Sequence, residues 1–187
     1  MAIMIIKYKS VMLRAIEEKD YDLLFHLINA SEIEKSIVGW NFPISHFSHK
    51  KWMKNFENSM NSIKFMIELT NAKTIGMVML EKIDWKCRTA EIACKMCAPL
   101  EDRIKGDMED ALNGMLKYAF DELGLNCINA LILEENYLSQ NLYKRVGFQE
   151  EGILRERVYK GGKFRNLISL SILKGELYDE RKNTEYM

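Results

Sequence analysis

NYLSQNLYKRVGF, Asn136 to Phe148, is a helix with both of its ends written into it. Asn136 and Ser139 carry side-chain oxygens of the kind that cap a helix start. Gly147 supplies the stop. Leu138, Leu142 and Val146 recur at helical spacing and predict a buried stripe. Tyr143 follows Leu142 directly, about 100° round the helix, at the edge of that stripe. Its hydroxyl has two readings: a polar handle left in water by a packed ring, or a proton donor at a reacting centre.

Working outward, "CINALIL" before this helix is a near-continuous apolar run, as expected of a strand buried on both faces. Before it, Met108, Ala111, Leu112, Met115, Leu116, Ala119, Phe120 and Leu123 define a strongly periodic helix that Gly124 stops. Three strand-like runs come earlier: "SIKFMIEL", "KTIGMVMLEKID" and "RTAEIACKMC", with short polar breaks between them. After the helix, "GFQEEGILRERVYKGGKFRNLISLSIL" reads as a hairpin turning at "KGG". The chain opens with a strand and a helix that starts at Asp20, a loop or broken helix around "NFP", and a helix for which Ser48 is a plausible cap. The order is strand, helices, three strands, helix, strand, helix, two strands, which predicts an α/β fold with a mixed sheet.

The 187 residues suggest one domain, with a core over 11–173 and a polar C-terminal tail over 174–187. Lys plus Arg and Asp plus Glu both number 27, so no global field draws in nucleic acid or an anionic membrane. Lys7 and Lys9 soon interrupt the apolar N-terminus, which reads as no signal peptide. Cys87, Cys94, Cys97 and Cys127 are then expected to be reduced thiols in a cytoplasmic protein. Cys94 and Cys97 form a lone C-x-x-C whose side chains point to opposite faces of a strand, and His46 and His49 lack an evident third ligand. No metal is expected. The abundant Met residues read as core filler.

"RIKGDM", Arg103 to Met108, stands between the third of these strands and the periodic helix. Unpaired N–H groups at a helix start, next to a glycine, make a natural phosphate site, although an ordinary charged loop reads the same way. With "NYLSQNLYKRVGF" downstream, the chain resembles the GCN5-related N-acetyltransferase (GNAT) superfamily, in its ribosomal-protein and polyamine branch. That family's pyrophosphate loop reads [RQ]-x-x-G-x-[GA], here Arg103, Ile104, Lys105, Gly106, Asp107 and Met108. Its second signature, N-x-x-S-x-x-x-Y-x-x-x-G-F, is matched in full by Asn136, Ser139, Tyr143, Gly147 and Phe148. The resemblance runs from Val11 to Leu173. It implies a mostly antiparallel sheet of about seven strands flanked by about four helices, with two central strands splayed into a cofactor cleft.

The resemblance also implies roles. Acetyl-CoA would lie between "RTAEIACKMC" and "NALIL", along Cys94, Lys95 and Met96. Arg103, Ile104, Lys105, Gly106, Asp107, Met108 and Glu109 would hold its pyrophosphate, and Asn136, Ser139, Asn141 and Lys144 would flank the rest. An alkyl ammonium with a pKa of about 10 must lose a proton before it attacks, and a thiolate with a pKa of about 8.5 benefits from gaining one. Tyr143 fits the donor role and Glu91 the acceptor role, unless Glu91 is only a structural ion pair. Glu32, Glu34, Trp40 and Phe42 are candidates for holding the acceptor, a small amine, a polyamine or a protein N-terminus. A homodimer is implied by analogy alone. Two features stand apart from the family. Met108 replaces a small residue and would either crowd the pyrophosphate or turn outward, and Asp107, Glu109 and Asp110 put negative charge at the helix start. They motivate the alternative of a member of the fold that binds without turnover.

Overall fold

The computed structural model describes residues 5–39, 42–96 and 106–178. Its strands form one sheet in the order β1-β2-β3-β4-β5-β6-β8-β7. The strands are β1 (Ile6–Tyr8), β2 (Val11–Arg14), β3 (Ser62–Leu69), β4 (Thr74–Asp84), β5 (Thr89–Met96), β6 (Cys127–Leu133), β7 (Gln149–Lys160) and β8 (Lys163–Leu173). The α-helices are α1 (Tyr21–Asn29), α2 (Ser31–Ser36), α3 (His46–Lys54), α4 (Asp107–Lys117), α5 (Tyr137–Val146) and α6 (Lys174–Leu177). The expected α/β architecture is present, with eight strands among the described residues rather than about seven. The added strand is β1, which pairs with β2 across a tight turn in which Lys9 has a φ of 43°. Three residues are too few to show a strand period. For the same reason α2 and α6, of six and four residues, raise the helix number above four.

The two faces of the sheet are sealed differently. On one face α4 lays Ala111, Leu112, Met115 and Leu116 onto the sheet, all fully buried and continuous with Val78, Leu80, Ile128 and Ile172. A π-helical turn, Tyr118–Glu122, extends α4 to the stop at Gly124. On the other face the buried cluster is small: Leu24 and Leu27 of α1 pack against Met66, Met77 and Met79. Flexible Met side chains fill the irregular space between a short helix and the sheet.

Charge supplements that smaller core. Arg14 is buried, and its guanidinium donates to both carboxylate oxygens of Asp20 at 2.8 Å and to Glu68 at 2.6 Å. Asp20 does stand at the start of α1, but its carboxylate serves Arg14 and the N–H of Glu17 instead of capping the helix. The cap of α3 is Ser45, three residues before the expected Ser48. Its hydroxyl accepts from the Ser48 N–H at 3.1 Å.

The feature that positions the site lies between β5 and β6. They are the one parallel pair among the described strands, joined only over Thr89–Glu91 and Cys127–Asn129. Beyond that point β5 stays with β4 as far as Met96, and β6 stays with β8 as far as Leu133. Their facing edges part, so the peptide groups there are not committed to a shared ladder. Strand alternation sends Ala90, Ile92, Cys94 and Met96 toward α4, and Glu91, Ala93 and Lys95 toward α1. The opening therefore connects the two faces of the sheet.

Candidate active site

α5 closes one side of the opening. The Asn136 side chain caps it, accepting from the Ser139 N–H at 3.1 Å, and donates to the Ser36 carbonyl at 2.9 Å. One residue thus starts α5 and ties it to the end of α2. Ser139 receives the cap and does not supply it. Gly147 ends the helix with a φ of 110°. The buried stripe differs from the expected one. Leu138 is 84% exposed, Leu142 is half-buried, and the buried positions are Gln140, Tyr143 and Val146. Gln140 turns inward because its amide donates to the carbonyls of Leu133 and Glu134, at the end of β6. That rotates the helix and moves Tyr143 from the edge of the stripe to its middle.

Tyr143 is only 4% exposed. Its ring meets Phe148 edge to face at 5.0 Å between centroids, and its hydroxyl lies 3.8 Å from Cys94 Sγ on β5. Burial raises the Tyr143 phenol well above its ordinary value, and the neighbouring Cys94 adds to the rise. Burial also pushes the Cys94 thiol up to about 11, against a smaller opposing effect of the bond to Tyr143. Both groups hold their protons at neutral pH. Here a buried aromatic hydroxyl faces a weak sulfur partner at the narrow end of the strand opening, and the hydroxyl is a donor with a proton to give.

A cavity of about 440 Å³ runs through the opening. Ser36 to Gly39, Glu81, Lys82, Glu91, Lys95, Leu131, Asn136, Ser139 and Tyr143 all contribute to its wall. Glu91 is there, and it is also an ion pair, with Lys82 Nζ at 2.9 Å. The pair is open to solvent at the lysine end, so Glu91 is held in place without being sealed off. Lys95 is half-buried, and burial with help from nearby Lys64 lowers its pKa, opposed by Glu81. Met96 packs onto the larger core. Asn141 is exposed, and exposed Lys144 pairs with Glu150 at 3.0 Å.

At the start of α4, Gly106 takes a φ of 108°, a conformation that side chains with a Cβ rarely adopt, and the space beside it is open. The helix closes its first hydrogen bond from Asp110 N to Gly106 O, so the N–H groups of Asp107, Met108 and Glu109 precede the ladder. Met108 does not point outward. It is 8% exposed and belongs to the larger core. The acids are engaged within the protein: Asp107 and Asp110 accept from the Ser10 hydroxyl, and Glu109 pairs with Arg145 at 2.5 Å. An open glycine, a helix start and two parted strand edges fit an elongated phosphate-bearing cofactor. Arg103, Ile104 and Lys105 lie outside the described residues, as does Trp40.

Of the proposed acceptor residues, Glu32 is exposed, and Glu34 is bound by Lys160 of β7 at 2.5 Å. Phe42 is exposed and lines a separate hollow between α1 and the tip of the β7–β8 hairpin. The structure thus brings Tyr143, Glu91, Cys94, Lys95, Asn136 and Ser139 together in one cavity and leaves Glu32, Glu34, Phe42, Met96, Asn141, Lys144 and the α4 start out of its lining. Sequence reasoning missed Glu81, Lys82 and the backbone of Ser36 to Gly39. Register could have found Glu81, which sits opposite Glu91 in the β4–β5 pair. Among the described residues no group of acids, cysteines and histidines is placed to hold a metal ion.

Comparison with known proteins gives this geometry its context. The model of the acetyltransferase (GNAT) domain matches residues 10–149. The chain is 29% identical over 178 residues to the putative ribosomal N-acetyltransferase YdaF of Bacillus subtilis, covering 91% of this chain and 95% of that protein. It is also 29% identical over 167 residues to the spermidine N(1)-acetyltransferase of Vibrio cholerae, covering 88% and 93%. The crystal structure of spermidine N-acetyltransferase from Vibrio cholerae in complex with CoA and spermine superposes with a TM-score of 0.81 at 26% identity. It covers 90% of this chain and 98% of that one.

Proposed function

We propose a mechanism from one premise: the chain belongs to the GNAT family of acetyltransferases. It is an N-acetyltransferase that takes the acetyl group of acetyl-CoA to a primary amine. The observation that carries the reading is the buried Tyr143 hydroxyl at the parting of β5 and β6. Acetyl-CoA supplies an activated acyl carbon. The edges of β5 at Cys94 to Met96 and the α4 start at Gly106 to Glu109 would hold it, with Arg103, Ile104, Lys105, Asn136, Ser139, Asn141 and Lys144 as its further partners. The remaining work is proton traffic. Glu91, on the face toward α1, takes a proton from the incoming ammonium, directly or through a water. Tyr143, on the face toward α4 and α5, gives its proton to the departing sulfur. Donor and acceptor of protons thus stand on opposite faces of one opening, where attack and departure would not compete for space.

The acceptor is a small amine, a polyamine or a protein N-terminus, approaching past Glu32, Glu34, Trp40 and Phe42. Against a non-catalytic member of the fold speak the packing of Met108 into the core and the cationic partners of Glu109 and Asp110, Arg145 and Lys9. We place the protein in the cytoplasm as a single domain that forms homodimers. Two measurements on one sample test the reading: calorimetric titration with acetyl-CoA, and release of free thiol across a panel of amines. Saturable binding with amine-dependent thiol release is expected. No binding at millimolar acetyl-CoA would overturn it.

A further inference from the structure

The charged groups lining the cavity are not balanced evenly. Glu91 is taken by Lys82 at 2.9 Å, and Glu81 is taken by Lys64. Glu34, on the neighbouring α2, is taken by Lys160 at 2.5 Å. Each of these carboxylates already has its own lysine. Lys95 does not fit that scheme, because it has no hydrogen-bond or ion-pair partner among the described residues. Its neighbours on the same face are Met77, directly opposite in the β4–β5 register, and Ala93, and the Lys64–Glu81 pair acts on its charge in opposite senses without bonding to it. It is an ammonium half-buried beside apolar groups at the wall through which an acceptor would enter.

Burying a charge without a partner is costly unless a partner arrives. A polycation would bring no such partner. It would meet Lys95 as a like charge, and the two carboxylates that line the cavity, Glu81 and Glu91, are each already held by a lysine. An anionic group would remove the imbalance at once. We propose that the acceptor of this enzyme carries a carboxylate beside its amine, as an amino acid does, and that Lys95 receives that carboxylate while the amine faces Glu91. The proposal rests on the acetyltransferase reading and narrows it to a substrate class. No bond is made or broken at Lys95. Its role is to choose the acceptor and orient it.

The test compares acceptors that differ only in that charge. Thiol release from acetyl-CoA is measured with β-alanine and 4-aminobutanoate, with their amides, and with spermidine. In the native protein kcat/KM for the acids should exceed that for the amides by about tenfold or more, the worth of one charge-assisted contact. The ratio should fall to about one in Lys95→Met and survive in Lys95→Arg. Because the ratio is taken within one variant, a general loss of activity cancels, and a melting curve shows that each variant is folded. Amides or spermidine turned over as well as the acids would overturn the proposal, as would an acid preference that persists in Lys95→Met. Failure of acetyl-CoA to bind would overturn the acetyltransferase reading itself. Binding without turnover of either amino acid would overturn only the inference about Lys95.

Discussion

The face of the sheet under α4 and α5 and the face under α1 to α3 solve the same problem by different means. The first is closed by a continuous apolar core that includes Leu112, Met115, Phe120 and the ring of Tyr143. The second has a small cluster around Leu24 and Leu27, and an ion network in which Arg14 joins Asp20 to Glu68. The difference teaches where each part of the chemistry can sit. A proton donor that must stay protonated belongs on the dry side, where burial raises its pKa. A group that must take a proton from an amine belongs on the side where charge is already accommodated.

The largest expected effect sharpens the contrast between the cores. Leu112→Ala should cost about 3–5 kcal/mol, because the packed surroundings cannot collapse onto the cavity. Leu24→Ala should cost about 2–3 kcal/mol, since the thin layer of flexible Met side chains can relax. Urea unfolding checks both, and equal losses would erase the distinction.

Next comes the ion network. Asp20→Ala leaves Arg14 buried with only Glu68 to pair it, and should cost about 3 kcal/mol. The same pair gives the second face a pH dependence. Burial alone would raise the Asp20 carboxyl, but the hydrogen bonds from Arg14 and the Glu17 N–H outweigh it and leave the carboxyl below its ordinary value. A carboxylate whose folded pKa is depressed contributes stability above its unfolded value, about 4, and loses it as pH falls through the folded value. Amide protection factors near Arg14 and Asp20, taken relative to the intrinsic exchange rate at each pH, should therefore fall below about pH 4 in the native protein. Asp20→Ala should lack that step.

A smaller effect tests the α4 start. Met108→Ala should cost about 2 kcal/mol of stability through its core contacts. Its affinity for acetyl-CoA should stay within about threefold, because the side chain does not face the phosphate position. A sharp gain in affinity would mean that Met108 crowds the cofactor after all.

Much of this architecture is legible in the sequence, and the parts that are not share a cause. The period of α4, the three antiparallel strands and the glycine stops are local patterns, and each stands where it was expected. The α5 stripe is not purely local. Leu138 reads as buried by spacing, yet Gln140 takes the inward position because two carbonyls at the end of β6 need a donor. Asp20 reads as a cap until Arg14, six residues earlier, claims it. The site divides in the same way. Tyr143 is a candidate that one helix alone singles out, whereas the lysine partner of Glu91 and the surroundings of Lys95 depend on how three strands are laid side by side.

The central claim is that the buried Tyr143 hydroxyl serves the departing sulfur and nothing else. Tyr143→Phe keeps the ring against Phe148 and removes one oxygen. The direct measurement is kcat for thiol release set beside the dissociation constant for acetyl-CoA in that variant. The account predicts that kcat falls by about a hundredfold or more while the dissociation constant is nearly unchanged. An unchanged kcat, or a loss confined to acetyl-CoA affinity, would contradict it.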